Sequence, residues 1–269
     1  MTKSREAEAD LSIRQICGAW RLMCRDAPGR RVSDTAGVTY IFSGLPVAFF
    51  NLVVLTQPSI SAAALRSFAE EARAWTENTT DPWSFLVTGE ALESGVDAAA
   101  ILGEFGLGPA FPLTGMVATE VAPLAAAPPG LRLTVPADDT ACASIVDINS
   151  AAYDLNLGPA NAMLGRQTFW NDQFPVLGTV DGTPASSSAV LVVDGCRYVA
   201  LVATLPAYRR QGYAEAAMRQ ALENAAAAVG PRPSVLHATE AGRPIYERMG
   251  YSTITSHTLF MDAALLARH

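Results

Sequence analysis

The sequence predicts an α/β (α+β) protein made of two units, each a mixed sheet flanked by helices. Three observations predict this. Residues 131–269 read as a meander of strands, then an alanine-rich helix, then another strand. The stretch Ala122-Pro-Leu-Ala-Ala-Ala-Pro-Pro-Gly130 can continue neither a helix nor a central strand, so it separates two halves. The first half shows a reduced version of the second. The division expected is 1–125, a linker at 126–130, and 131–269.

The second half opens with a short strand, Leu131 to Val135. Asp138 or Asp139 can then cap a helix running to about Ala152. Another helical patch covers roughly Asn161 to Trp170. Three strands follow, Val176–Val180, Ala185–Val193 and Cys196–Leu205. Asp181-Gly182 and Asp194-Gly195 join them, and Asp-Gly supplies the positive φ angles that tight hairpins need. The third strand is apolar on both faces, which makes it central. Ala214, Ala217, Met218, Ala221, Leu222 and Ala225 then recur at helical spacing until Gly230-Pro231. Ser234 to Ala238 reads as a strand and Pro244 to Met249 as a short helix. Thr253 to Met261 reads as one or two strands.

In the first half, helix Leu11–Arg25 precedes strands near Val38–Phe42 and Ala48–Leu55. Helix Ser61–Trp75, strand Trp83–Val87, the segment Ile101–Phe105 and a strand near Thr114–Thr119 follow. The same interval of 29 residues separates Leu55 from Ser84 and Leu205 from Ser234. Ser84-Phe-Leu-Val-Thr-Gly-Glu90 echoes Ser234-Val-Leu-His-Ala-Thr-Glu240, and Glu104-Phe-Gly-Leu107 echoes Arg248-Met-Gly-Tyr251. Two uses of one supersecondary plan explain these echoes.

Composition narrows the function. Hydrophobic residues make up 50% and charged ones 17%, enough apolar surface for packed cores and too little charge for a disordered chain. The net charge is −7 and no basic stripe occurs, which argues against nucleic acid as a partner. Cys17, Cys24, Cys142 and Cys196 form no Cys-x-x-Cys pair and read as reduced, packed thiols. His237, His257 and His269 are too scattered for a metal site, so no metal is expected. Val38 to Leu55 is apolar, but Ser43-Gly44-Leu45-Pro46 and Asn51 interrupt it. Two buried strands fit it better than a membrane span. With residues 1–10 polar and frayed rather than a secretory signal, the expected location is the cytoplasm.

The segment that carries chemistry is Thr204-Leu-Pro-Ala-Tyr-Arg-Arg-Gln-Gly-Tyr-Ala214, between the central strand and the alanine-rich helix. A helix N-terminus leaves N–H groups unpaired and carries partial positive charge, which together hold an anion. Gly212 lets a diphosphate approach the backbone, and Arg209 and Arg210 add charge. No Gly-Lys-Ser/Thr follows, and the pattern is not Gly-x-Gly-x-x-Gly. The plainer reading of these residues is an ordinary strand-to-helix turn with solvated arginines.

At these residues the chain resembles the GNAT acetyltransferase superfamily. The resemblance runs through Pro206, Tyr208 and Arg209-Arg210-Gln211-Gly212-Tyr213-Ala214, and continues in Ile245-Tyr-Glu-Arg-Met-Gly-Tyr251. It covers most of 131–269. With the first half as a degenerate GNAT-like copy, the chain is similar to tandem-GNAT proteins. The resemblance implies mostly antiparallel, twisted sheets and a β-α-β core that binds acetyl-CoA. Backbone groups of Val202, Ala203 and Thr204 would pair with the pantetheine arm. The loop Arg209, Arg210, Gln211, Gly212, Tyr213, Ala214 would grip the diphosphate. The strand Ser234 to Ala238 would splay away to admit the thioester, whose carbonyl an N–H would polarise. Tyr246 matches the tyrosine that protonates the departing thiolate.

The chain departs from the family pattern in places. Thr239 stands where many members carry an asparagine against pantetheine. No carboxylate lies between Cys196 and Leu205, so the base is not evident; His237 on the next strand can titrate near neutrality. Tyr153, Asp154 and Asn156 fall where the family lines the acceptor site. In the first half, Arg209 aligns with Ser59, Gly212 with Ala62, Ala214 with Ala64 and Tyr246 with Leu102, so this half is expected to bind no coenzyme. The expected activity is acetyl transfer from acetyl-CoA to a primary amine, on a small molecule or a peptide N-terminus. A non-catalytic acetyl-CoA sensor and a user of longer acyl-CoA are the alternatives. The oligomeric state is not readable.

Overall fold

A computed structural model describes residues 3–266 of the chain. They fall into two compact units. Residues 3–116, 237–244 and 253–266 make the first, and residues 117–236 and 245–252 make the second. The elements in chain order are α1 (Lys3–Met23), β1 (Arg31–Thr35), β2 (Val38–Phe42), β3 (Asn51–Leu55), α2 (Ala62–Thr76), β4 (Ser84–Thr88), α3 (Ala98–Gly103) and β5 (Leu107–Ala118). Then come β6 (Leu131–Thr134), α4 (Asp139–Tyr153), β7 (Phe174–Val180), β8 (Thr183–Val193), β9 (Cys196–Thr204), α5 (Tyr213–Val229), β10 (Ser234–Ala238), α6 (Arg243–Arg248), β11 (Ser252–Asp262) and α7 (Ala263–Leu266).

In the first unit the strand order is β1-β2-β3-β4-β11-β5. β1 with β2, β2 with β3 and β4 with β11 pair antiparallel, and β3 pairs parallel with β4, the strands that α2 connects. The wholly buried strands β2 and β3 meet α2 through Leu65, Phe68, Ala69 and Ala72, which recur at the spacing of one helical face. Ser61 starts α2 by accepting the N–H of Ala64 at 3.2 Å, and Asp97 does the same for α3 through Ala100 at 3.0 Å.

In the second unit the order is β10-β9-β8-β7-β6, antiparallel except for β9 with β10. Both Asp-Gly turns have positive φ at the two central residues: 49° and 80° at Asp181 and Gly182, 43° and 76° at Asp194 and Gly195. That is the geometry that matches the twist of a two-residue hairpin. Asp138 caps α4 by accepting the N–H of Ala141 at 2.8 Å. Ala216, Ala217, Ala221 and Ala225 are buried, so α5 packs closely.

Several expectations need correction. A linear cut at 126–130 does not separate the compact units. β11, from the far end of the chain, pairs with β4 from His257↔Thr88 to Met261↔Ser84 and completes the first unit. An unpartnered β4 edge would expose a row of backbone groups, and the last strand covers it. Residues 3–10 belong to α1 rather than a frayed end. The patch at 161–170 is two separate turns of 3-10 helix, Gly158–Ala162 and Gln167–Asp172. Between them the chain folds so tightly that a Cβ on Gly165 would lie 2.8 Å from the Asn161 carbonyl. The strand expected near 114–119 begins at Leu107, running through Pro109 and Pro112. β1 was not expected: it is polar and mostly exposed, with no apolar alternation. Val38 to Leu55 does form two buried strands, and among the described residues no helix is long and apolar enough to cross a membrane.

Candidate active site

The site is built where β9 hands over to α5 in the second unit. Arg210 has φ 69° and Gly212 φ 77°, so the turn twice enters the left-handed region before the helix starts. Successive left-handed turns at a helix start aim backbone N–H groups outward as an anion cradle. Gly212 is the N-cap residue and offers no side chain to the first turn. A Cβ there would meet only Pro128, at 3.8 Å, so the glycine is required by its φ rather than by crowding. Arg210 is exposed and makes no hydrogen bond or ion pair among the described residues. The Tyr213 ring is buried with Leu131 and Ala216, and its hydroxyl donates to Gln211 at 2.9 Å. Only the backbone of Tyr213 is therefore available to a ligand. Ala214 is half-buried.

β9 is paired on one edge and largely open on the other. β10 pairs with it only at Ser234↔Arg197 and Val235↔Tyr198. Leu205 donates to Ala185 at 2.9 Å and Ala203 faces Ser187 on β8. Strand alternation then points the carbonyls of Val202 and Thr204 to the open edge. A bulge interrupts the β8 ladder: Ser187 pairs with Ala203 but Ala189 with Ala200, so Ser188 opposes two residues. Leu201 takes φ 53° there, and its carbonyl accepts from Ser187 Oγ at 2.9 Å and from the buried Asn149 Nδ2 at 3.3 Å. Sequence reasoning missed Leu201, Ser187 and Asn149. The signal was an asparagine in the apolar register of α4.

Tyr246 in α6 is 8% exposed, its ring edge-on to Tyr251 at 6.1 Å. Its hydroxyl has no hydrogen-bond partner among the described residues. Burial, and then the neighbouring phenols of Tyr153 and Tyr251, hold that hydroxyl protonated well above the usual tyrosine range. Tyr153, at the end of α4, donates its hydroxyl to the Val202 carbonyl at 2.7 Å. Arg209 donates to the Ala152 carbonyl at 2.7 Å and to the Thr204 carbonyl at 3.4 Å. The structure thus gathers Tyr153, Val202, Thr204, Arg209 and Tyr246. Asp154 is the left-handed C-cap of α4 at φ 53°, its N–H on the Ser150 carbonyl, and Asn156 is exposed. Neither has a side-chain bond to the gathered group.

His237 and Thr239 belong to the first unit. Ser12 Oγ lies 2.9 Å from Nε2 of both His237 and His257, and Thr88 Oγ1 lies 3.0 Å from His257 Nδ1. Burial, and then His257, push the His237 pKa well below 6.5; burial pushes His257 to about 4. Both rings are neutral at physiological pH. Gly115 makes room for this cluster, since a Cβ there would clash with Ser12 and Thr255. Thr239 Oγ1 accepts from Gly242 N at 3.3 Å, so its hydroxyl serves the turn that starts α6.

Residues 189–254 match the family model described as an acetyltransferase (GNAT) domain. No curated protein sequence matches the chain. Among solved structures it is similar to a GCN5-related N-acetyltransferase from Kribbella flavida, with TM-score 0.69 and 22% identity over 94% of this chain and 95% of that one. It is also similar to one from Sphaerobacter thermophilus, with TM-score 0.59 and 14% identity over 95% and 92%. A tandem GNAT protein from the clavulanic acid biosynthesis pathway gives TM-score 0.54 and 13% identity over 94% of each chain. Residues 189–254 are therefore similar to a GNAT domain, and the fold is the one these GCN5-related N-acetyltransferases share, as the 204–214 and 245–251 segments led us to expect. Acyl transfer is the activity class that this supports.

Proposed function

We propose that this GNAT-superfamily protein is an acetyl-CoA-dependent N-acetyltransferase whose second unit binds the coenzyme. The observation that carries the reading is one juxtaposition: the uncapped start of α5 follows directly on the open edge of β9. An anion and an extended amide chain, joined end to end, are what these two features would hold. The diphosphate would lie on the N–H groups of residues 211–214 with Arg210 beside it. The pantetheine amides would pair with Val202 and Thr204.

In the reaction the amine nitrogen attacks the thioester carbon and the carbon–sulfur bond breaks. Backbone N–H groups freed by the bulge stabilise the developing oxyanion. Tyr246, already protonated and unpartnered, gives its proton to the departing sulfur. The proton that the amine nitrogen sheds passes to solvent, which also re-equilibrates Tyr246. Asp154 and Asn156 would face the acceptor. The acceptor is a primary amine on a small molecule or a peptide N-terminus. The first unit would be a GNAT-like copy without a coenzyme site.

The test is thiol release from acetyl-CoA over a panel of amines, beside a coenzyme titration of a double Arg209→Ala, Gly212→Val variant. Turnover on some amine, and complete loss of binding in the variant, are expected. One retained site per chain would place the coenzyme elsewhere. Tight binding without turnover on any amine would make the protein a sensor instead, and turnover only with longer acyl chains would change the donor.

A further inference from the structure

The edge of β9 assigned to pantetheine is engaged by the protein itself. Val202 and Thr204 aim their carbonyls along it, and each has a partner within the protein: Tyr153, at the end of α4, for Val202 and Arg209, in the turn before α5, for Thr204. Tyr153 donates to Val202 at 2.7 Å, and Arg209, which approaches Thr204 at 3.4 Å, is anchored to the Ala152 carbonyl at 2.7 Å. The two bonds to residues 152 and 153 tie the last turn of α4 to the β9–α5 junction. Tyr153 as a residue is 43% exposed, and its hydroxyl bond ties the side chain to β9.

We propose that Tyr153 is a positioning residue, a latch that occupies the pantetheine edge and must release before the coenzyme binds. This rests on the coenzyme reading above and deepens it. A pantetheine N–H and the Tyr153 hydroxyl compete for one carbonyl oxygen along one direction. Arg209 meets the same choice, since a guanidinium turned toward a diphosphate leaves Ala152. Coenzyme binding therefore unties the end of α4 on both sides. The segment that follows, residues 154–156, is the one assigned to the acceptor. Donor binding would thus free the acceptor side, giving an ordered sequence with coenzyme first.

The latch makes a prediction of opposite sign from a direct contact. Tyr153→Phe keeps the ring and deletes the competing hydroxyl, so coenzyme A should bind roughly fivefold more tightly by calorimetry. In the wild-type chain, added coenzyme A should speed hydrogen exchange of the backbone amides at residues 152–157. Equal or weaker binding by Tyr153→Phe, with the wild type binding normally, overturns the latch and leaves the coenzyme reading intact. Protection of residues 152–157 on binding also overturns it. If neither protein binds coenzyme A, the coenzyme reading falls and takes the latch with it.

Discussion

The chain contains two strand–helix–strand segments with the same geometry and opposite use of the helix start. In the second unit, β9 leads through a turn to α5 and on to the parallel β10. In the first, β3 leads through a turn to α2 and on to the parallel β4. α5 begins on Gly212, with nothing to satisfy its first turn. α2 begins on Ser61, whose hydroxyl takes the Ala64 N–H. The turn before α2 is also closed. Ile60 N bonds the Ala91 carbonyl at 2.8 Å, Glu93 N bonds the Ile60 carbonyl at 3.0 Å, and the Glu93 carboxylate accepts from Ser59 at 3.1 Å. A carboxylate there repels a diphosphate, and the bridge shuts the wedge that β9 and β10 leave open. Leu102, in the place aligned with Tyr246, is wholly buried and has no proton to give. On the proposed reading little of the fold specifies binding: one cap and one bridge separate a closed turn from an anion cradle.

Four experiments break or sharpen this contrast. Tyr246→Phe should lower kcat by on the order of a hundredfold or more, with coenzyme affinity nearly unchanged, as expected for loss of a proton donor. Pre-steady-state thiol release would measure it, and unchanged turnover would make Tyr246 a packing residue. Gly212→Val forces a β-branched residue to φ 77° and should weaken coenzyme binding by on the order of tenfold to a hundredfold. Calorimetry reads the change, and full affinity would sink the cradle.

The third concerns stability. The folded-state pKa of His257, about 4, lies below its usual 6.5, so the unfolded chain binds the extra proton first. The stabilisation is present above pH 6.5 and is lost as pH falls toward 4, by roughly 3 kcal/mol. Denaturant unfolding across that window should show the slope, and His257→Gln should reduce it, the part owed to His237 remaining. The smallest effect belongs to Ser61→Ala, which should cost about 1 kcal/mol of stability while leaving one coenzyme bound per chain. A second bound coenzyme in that variant would mean that the cap alone was blocking the first unit.

Local chemistry made much of this legible in the sequence. The Asp-Gly turns fixed two hairpins because their φ angles depend on those residues alone. Asp138 and Gly230 marked the ends of helices, and Gly212 marked the cradle. What escaped depends on distant partners. β1 has no apolar face to announce it, and β5 runs through prolines that argue against a strand. The bulge at Leu201 arises from a mismatch between β8 and β9 that neither strand shows by itself. Arg209 and Arg210 look equivalent in sequence and are both exposed, yet one donates to the Ala152 carbonyl and the other makes no bond among the described residues. His237 looked like a solitary titratable group, because Ser12, 2.9 Å from its ring, lies 225 residues away along the chain.

The partnership of β11 with β4 sets the order in which the protein can mature on the ribosome. Most of the first unit is translated before the second, yet it waits with β4 uncovered until residues 253–262 emerge. Everything between must be synthesised, and can fold, in that interval. A chain stopped at the proline-rich linker would be left with a sticky border and every reason to aggregate.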